Sequence, residues 1–211
     1  MKKTLSVLAA IVFPLAAFAA DPPYDPSAPP DAFQLGIATN LPIGDSVINF
    51  SNAGTTGAGA FGFSFNTVDS ICANTYVFDP SAQMVECCAC RVEANGLYSY
   101  SAKNDLISNT ISGGVPTSIV VKFVATEPVK KGLSLTCDPG VQGKLAGGLS
   151  VWATALHAAP TTPVSYTVTD SPFHNKVLSQ TEYAKLTLLC TFIEGSGSGF
   201  GICKGCRLGG L

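Results

Sequence analysis

The sequence is poor in charge, and in arginine above all. Of its 211 residues only 12% are charged, two of these are arginines (Arg91 and Arg207), and the formal net charge is -2. A protein that binds nucleic acid through the phosphate backbone needs clustered Lys and Arg side chains. This composition excludes such a surface, and we predict no nucleic-acid partner.

Histidine is equally scarce, and the two that occur are His157 and His174. A serine or cysteine hydrolase needs a histidine as base beside a nucleophile in a defined setting. The sequence has neither a Gly-x-Ser-x-Gly motif nor a His-Glu-x-x-His motif. Asp170 and His174 are near enough in sequence to share a triad, but no nucleophile motif accompanies them. We therefore favour a protein without enzymatic activity and assign no catalytic residue and no cofactor.

Long apolar runs are absent after the N-terminus. There, Lys2 and Lys3 precede an apolar run over residues 5–16, and Ala17-Phe18-Ala19 supplies the small residues that a signal peptidase reads. This pattern predicts a signal peptide over residues 1–19. The mature chain would carry 14 acidic and 10 basic side chains and no transmembrane segment. We expect an exported protein that is secreted, periplasmic or held at the cell surface.

The mature chain divides into three parts. Residues 20–34 are rich in proline and predict a flexible lead-in, with an arm donated to a neighbouring subunit as the alternative. Residues 35–194 form a β-rich globular domain. Residues 195–211 form a tail rich in glycine and cysteine, which we expect to pack on the same domain.

Most of the globular domain has the pattern of short β-strands. Apolar and β-branched residues alternate with polar ones, and Asp-Pro, Asn-Ala-Gly and similar turn signals separate the segments. The predicted strands lie within residues 47–51, 61–65, 71–78, 118–126, 133–137, 149–157 and 164–168. Such a series predicts a mainly β domain that resembles a sandwich.

One segment near the C-terminus has a helical pattern instead. Ser179 and Glu182 match a capping box, and Gly195 stands where a helix would end. The apolar residues between them follow helical spacing: Leu186, Leu189, Cys190 and Ile193. A strand is the alternative over residues 183–193, since Leu186, Leu188, Cys190 and Phe192 also alternate. The two caps favour one short helix.

Cysteine is the most informative residue type. All eight cysteines lie in the mature chain: Cys72, Cys87, Cys88, Cys90, Cys137, Cys190, Cys203 and Cys206. An even number in an exported protein indicates disulfides, and the tail gains most from them because it has little apolar surface. The sequence does not assign their partners. Cys87 and Cys88, as neighbours in sequence, should reach different ones.

Two Cys-x-x-Cys pairs leave other chemistry open. Cys87, Cys90, Cys203 and Cys206 have the spacing of a four-thiolate metal site. Cys203 and Cys206 also lie beside Lys204 and Arg207, whose charges would favour a reactive thiolate. Behind a signal peptide, oxidation to disulfides ranks ahead of both the metal site and a thiol-redox pair.

Two stretches carry a resemblance to a known group. Glu86-Cys-Cys-Ala-Cys90 and Gly197-Ser-Gly-Phe-Gly-Ile-Cys203-x-x-Cys206 are similar to motifs of a group of uncharacterised, secreted, cysteine-rich proteins from soil bacteria. The resemblance implies an exported, cysteine-bridged protein. It implies no activity for any residue.

Together these features favour a secreted, non-enzymatic protein with a structural, adhesive or assembly role outside the cell. Low charge and 37 serine and threonine residues fit a protein that contacts other surface components or associates with itself. Two alternatives remain: a secreted metal-binding or thiol-redox protein that uses the Cys-x-x-Cys pairs, and a secreted hydrolase whose site the sequence does not reveal.

Overall fold

The computed structural model describes residues 27–55, 69–132, 134–159 and 165–208. The predicted signal peptide, residues 20–26 of the lead-in and the strand predicted over residues 61–65 lie outside these ranges. Within them the protein is mainly β, and its strands form two five-stranded antiparallel sheets and a small two-stranded one.

The first sheet has the strand order β11-β1-β6-β3-β4. Its strands are β1 (Phe33–Ala38), β3 (Ile71–Phe78), β4 (Met84–Val92), β6 (Ile119–Thr126) and β11 (His174–Asn175). The long central strands are rich in β-branched and aromatic residues, as a strand that is covered on both faces requires. All eight residues of β3 are buried.

The second sheet has the strand order β10-β9-β2-β5-β12. Its strands are β2 (Gly44–Asn52), β5 (Leu97–Ser101), β9 (Leu149–Ala159), β10 (Ser165–Pro172) and β12 (Arg207–Leu208). A separate hairpin is made by β7 (Val129–Lys131) and β8 (Ser134–Thr136).

The two sheets pack face to face. The rings of Phe50 on β2 and Phe123 on β6 lie 5.3 Å apart between centroids, and Tyr100 on β5 stacks on Phe50 at 4.9 Å. All three side chains are fully buried. Alternation along each strand directs these rings to the shared interior, and their burial is a major part of the hydrophobic stabilisation. The predicted sandwich is confirmed.

The C-terminal segment is a helix, α1 (Gln180–Gly195), so the strand alternative was wrong. The Ser179 side chain accepts a hydrogen bond from the Glu182 backbone N–H at 3.1 Å, as the capping box predicts. The Glu182 carboxylate contacts Lys122 on β6. Gly195 is the last residue of the helix, and Ser196 is the C-cap. The next residue, Gly197, has a positive φ of 62°.

The helix packs on the outer face of the first sheet. Its buried side chains meet aromatic and aliphatic residues of β1, β3, β4 and β6, and this second core contains Phe33, Tyr76, Phe78, Met84, Val124, Tyr183, Leu186, Cys190 and Ile193. The first sheet is thereby covered on both faces. In the described ranges no helix is long and apolar enough to cross a membrane.

Candidate functional site

Strand β4 carries three of the eight cysteines and is the joint at which the helix and the tail meet the sheet. Cys87 lies opposite Tyr76 of β3 and faces the helix. Cys88 and Cys90, in phase with each other, face the interior between the sheets. The sulfurs of β4 thus point both ways, because successive residues of a strand alternate between its faces.

The outward cysteine binds the helix. Cys87 forms a disulfide with Cys190, with their Cα atoms 5.8 Å apart, and both residues are fully buried. The bond crosses the apolar interface between α1 and the first sheet. It therefore holds the helix where hydrophobic burial already places it.

The two inward cysteines bind the tail. Cys88 pairs with Cys203 and Cys90 pairs with Cys206. Between the helix and these bridges the tail crosses the edge of β4, where the Cys87 N–H donates to the Gly201 carbonyl at 2.9 Å. The tail then enters the second sheet as β12, beside β5. The predicted packing of the tail on the domain through disulfides is what the structure shows.

Gly201 is required at this crossing. It has a φ of 79°, and a Cβ there would lie 2.5 Å from a methyl group of Ile193 on the helix. Only glycine fits such a position without displacing the tail or the helix.

The fourth disulfide joins Cys72 on β3 to Cys137, with their Cα atoms 5.4 Å apart. It ties the segment after the β7–β8 hairpin to the first sheet. All eight cysteines are paired and none is free. As expected, Cys87 and Cys88 reach different partners.

The disulfides divide the residues of the four-thiolate metal site that was considered as an alternative. Cys87, Cys90, Cys203 and Cys206 belong to three different disulfides, so their sulfurs are not thiolates in this structure. Neither Cys-x-x-Cys pair is closed on itself, as a redox motif of that kind requires. Among the described residues, no group of three or more His, Cys, Asp or Glu side chains is arranged to hold a metal ion.

Tyr100 lies against the two inward disulfides. Its hydroxyl is 2.7 Å from the Cys90 Sγ and 3.3 Å from the Cys88 Sγ. Disulfide sulfur carries no hydrogen, so the phenol is the donor in both contacts. Burial raises the pKa of Tyr100 above its ordinary value, and the phenol stays protonated.

Glu86 is the one fully buried carboxylate on β4. A register shift between β3 and β4 places Met84 on the helix side of the sheet. Glu86 lies on the opposite side, facing the interior between the sheets, where it is paired with Val77. Its Oε1 accepts a hydrogen bond from the Asn109 N–H at 3.0 Å, and among the described residues Oε2 has no hydrogen-bond partner.

This environment changes the titration of Glu86. Burial raises the pKa of its carboxyl group from 4.5 to about 7. The Asn109 N–H and the charge of Lys204 oppose this rise, whereas Asp105 adds to it. A carboxyl group with such a pKa is a feature of acid–base sites, but buried structural carboxylates share it.

A cluster of hydrogen-bonded polar residues lies at the end of β5. Ser101 donates from its hydroxyl to Asp45 on β2, and its N–H donates to Asp105 Oδ2 at 2.8 Å. The Lys103 N–H donates to Asp45 Oδ1 at 3.0 Å, and the Ser101 hydroxyl accepts from Asn104. These bonds hold a single π-helical turn over residues 102–106. They join the end of β5 to β2.

The two histidines lie on different sheets. His157 is half-buried on β9, opposite Thr167, and His174 is exposed on β11. Asp170, considered above as a triad partner, instead accepts a hydrogen bond from the Thr154 hydroxyl at 2.8 Å.

The main chemical feature of this region is covalent cross-linking. Its most reactive atoms, the eight sulfurs, are used in bonds between structural elements. Comparison of the chain with protein-family models, with curated proteins and with solved structures finds no match.

Proposed function

We propose that this protein is exported and acts outside the cytoplasm as a non-enzymatic structural or assembly component. One observation carries the proposal. The most reactive side chains in the sequence are the cysteines of β4 and of the tail. They form the disulfides that attach the helix and the tail to one strand. Strand β4 connects these structural elements covalently, and the protein acts through the surface that these connections hold rigid.

The span of the disulfides supports this proposal. They connect residues that are 65, 103, 115 and 116 positions apart. Closing loops of this size lowers the entropy of the unfolded chain by the equivalent of about 4–5 kcal/mol each in a chain-entropy model. A domain braced in this way withstands the conditions outside a cell, where disulfides also persist.

Export itself rests on the sequence. The pattern of residues 1–19 is that of a signal peptide, and the two cysteine motifs resemble those of secreted bacterial proteins. Export accounts for the oxidised cysteines, because cytosolic thiols are kept reduced.

The test starts from the full chain expressed with its leader in a bacterial host. We expect a mature chain beginning at residue 20, outside the cytoplasm, with no titratable thiol. The purified protein is then sedimented alone and with isolated bacterial cell envelopes. Self-association or co-sedimentation is the expected result. A chain that carries zinc on free thiols, or that is monomeric and binds no envelope component, would overturn the proposal.

A further inference from the structure

Strand β10 is an open edge of the second sheet. It pairs with β9 along its whole length, from Ser165 opposite Ala159 to Pro172 opposite Trp152. On its other side no strand of the described residues pairs with it. Residues 165–170 are all exposed, including Tyr166 at 58% and Val168 at 57%. Every second residue therefore turns its N–H and C=O groups towards the open side.

Among the strands that the structure describes, the other sheet edges are short or covered. Strands β11 and β12 have two residues each, and the tail covers β4 at Gly201 and Ile202. Soluble proteins usually protect an exposed edge with lysine, proline, a bulge or a very short strand. Of these devices β10 has only the proline at its last residue, Pro172; residues 165–171 contain no lysine and no proline, and their pairing with β9 is regular. Over residues 165–171 the edge lacks the usual protection.

The sequence of β10 is close to a palindrome. It reads Ser-Tyr-Thr-Val-Thr-Asp-Ser over residues 165–171. If two copies pair antiparallel about Val168, then Val168 lies opposite itself, Thr167 lies opposite Thr169, and Ser165 lies opposite Ser171. Threonine pairs and valine pairs are favourable neighbours across strands. The strand is complementary to itself.

Charge fits the same register. The one charged residue of β10, Asp170, would lie opposite Tyr166 of the second copy and not opposite another carboxylate. On that face Val168 already lies beside Leu156 of β9. Pairing would extend this to an apolar row across four strands, Leu156 and Val168 from each copy. Register and charge thus agree on one alignment.

We propose that β10 pairs with β10 of a second copy of this chain, in antiparallel register centred on Val168, and joins two five-stranded sheets into one of ten strands. The inference rests on the proposed function, since it names the partner through which assembly begins. The interface is isologous, so it closes as a dimer. The proline-rich segment 20–26 is the competing occupant, but Pro22, Pro23 and Pro26 have no N–H to donate to an edge.

The test uses the oxidised chain from residue 20 and measures self-association by sedimentation equilibrium, from micromolar to near-millimolar concentration. The wild type is expected to dimerise. Tyr166→Asp sets two carboxylates opposite each other at two symmetric positions, and we expect self-association about tenfold weaker. Tyr166→Lys sets a lysine opposite each Asp170 and should keep the dimer. Adding Asp170→Lys to Tyr166→Asp should restore it.

Val168→Lys places two lysines opposite each other at the axis and should give a monomer. Val177→Lys, the same change at an exposed valine outside β10, is the matched control and should remain dimeric. The monomer of each variant should melt at the same temperature as the wild-type monomer, because these side chains are exposed.

Three outcomes would overturn the inference. They are a wild type that stays monomeric, equal effects of Asp and Lys at position 166, and a dimer that is lost only when residues 20–26 are deleted. If the protein still assembles or binds cell envelopes in these cases, the proposed function stands and only the β10 interface is refuted. A monomer that also binds no envelope refutes both.

Discussion

The hydroxyl of Tyr100 lies 2.7 Å from the Sγ of Cys90, inside the sandwich and beside the bridge that holds the tail. The ring of Tyr100 also stacks on Phe50 at 4.9 Å. One side chain therefore contacts the aromatic core between the sheets and the disulfides that close their edge. The packing of the core and the attachment of the tail are coupled at this residue.

Tyr100→Phe should lower the free energy of unfolding by about 0.5–1.5 kcal/mol. It removes the hydroxyl donor and keeps the ring, and sulfur is a weak acceptor. Guanidinium unfolding without reductant measures the change. Tyr98→Phe, on the same strand but only partly buried, is the control and should change it by less than about 0.5 kcal/mol. Equal losses in the two variants would contradict the coupling.

Glu86 should make the protein less stable as the pH rises. Its pKa is raised to about 7 in the folded state, against 4.5 ordinarily, so the folded state holds a proton that the unfolded state has released. The stabilisation is complete below pH 4.5 and is lost as the pH rises through 7. Between pH 4.5 and pH 8 we expect a loss of roughly 2–3 kcal/mol from this group.

Glu86→Gln should flatten most of that dependence, because glutamine does not ionise. Urea unfolding at a series of pH values compares the two proteins. Glu127→Gln, which removes an exposed partner of Lys144, should keep the wild-type slope. Glu194, whose pKa burial and Asp138 also raise, contributes with the same sign. An unchanged slope in Glu86→Gln would mean that Glu86 is not the source.

Loss of the Cys90–Cys206 bridge should release the end of the tail. In Cys90→Ala combined with Cys206→Ala, we expect trypsin to cleave after Lys204, while the wild type resists. The stability should fall by about 2–5 kcal/mol. Mass spectrometry of the digest locates the cut. Cys72→Ala combined with Cys137→Ala is the control, since it leaves both tail bridges intact, and rapid cleavage after Lys204 there would contradict this account.

Gly44→Ala should destabilise the protein by about 1–3 kcal/mol. A Cβ at Gly44 would overlap the carbonyl oxygen of Leu156 on the neighbouring strand, and the backbone has to move to admit it. At Gly114 the nearest atom to such a Cβ is the Ser112 Oγ at 3.7 Å, so Gly114→Ala should be neutral. Thermal unfolding measures the stability of the two variants. Equal losses of stability would refute the close approach of β2 and β9.

Regular alternation is what made parts of this fold predictable. The strand predicted over residues 71–78 has the bounds of β3, and the two-ended capping pattern identified the helix. The sandwich follows from many such short strands. These features depend on neighbours in sequence, and the sequence contains them.

Strand β4 was not predicted, because it lacks the pattern that identifies a strand. It has cysteines on both faces, and Glu86 faces the interior. Only the partners on β3, the helix, the tail and the segment around Asn109 explain these side chains. For the same reason the disulfide pairing, the burial of Glu86 and the contact of Tyr100 with sulfur had no signal in the sequence. They are set by residues ten or more positions away.

The most direct test of this account is a disulfide map of the oxidised protein by peptide mass spectrometry before and after reduction. We expect four linked peptides that join Cys72 to Cys137, Cys87 to Cys190, Cys88 to Cys203 and Cys90 to Cys206, and a gain of eight hydrogens on reduction. Cys87 linked to the tail, Cys203 linked to Cys206, or free thiols with bound zinc would contradict it.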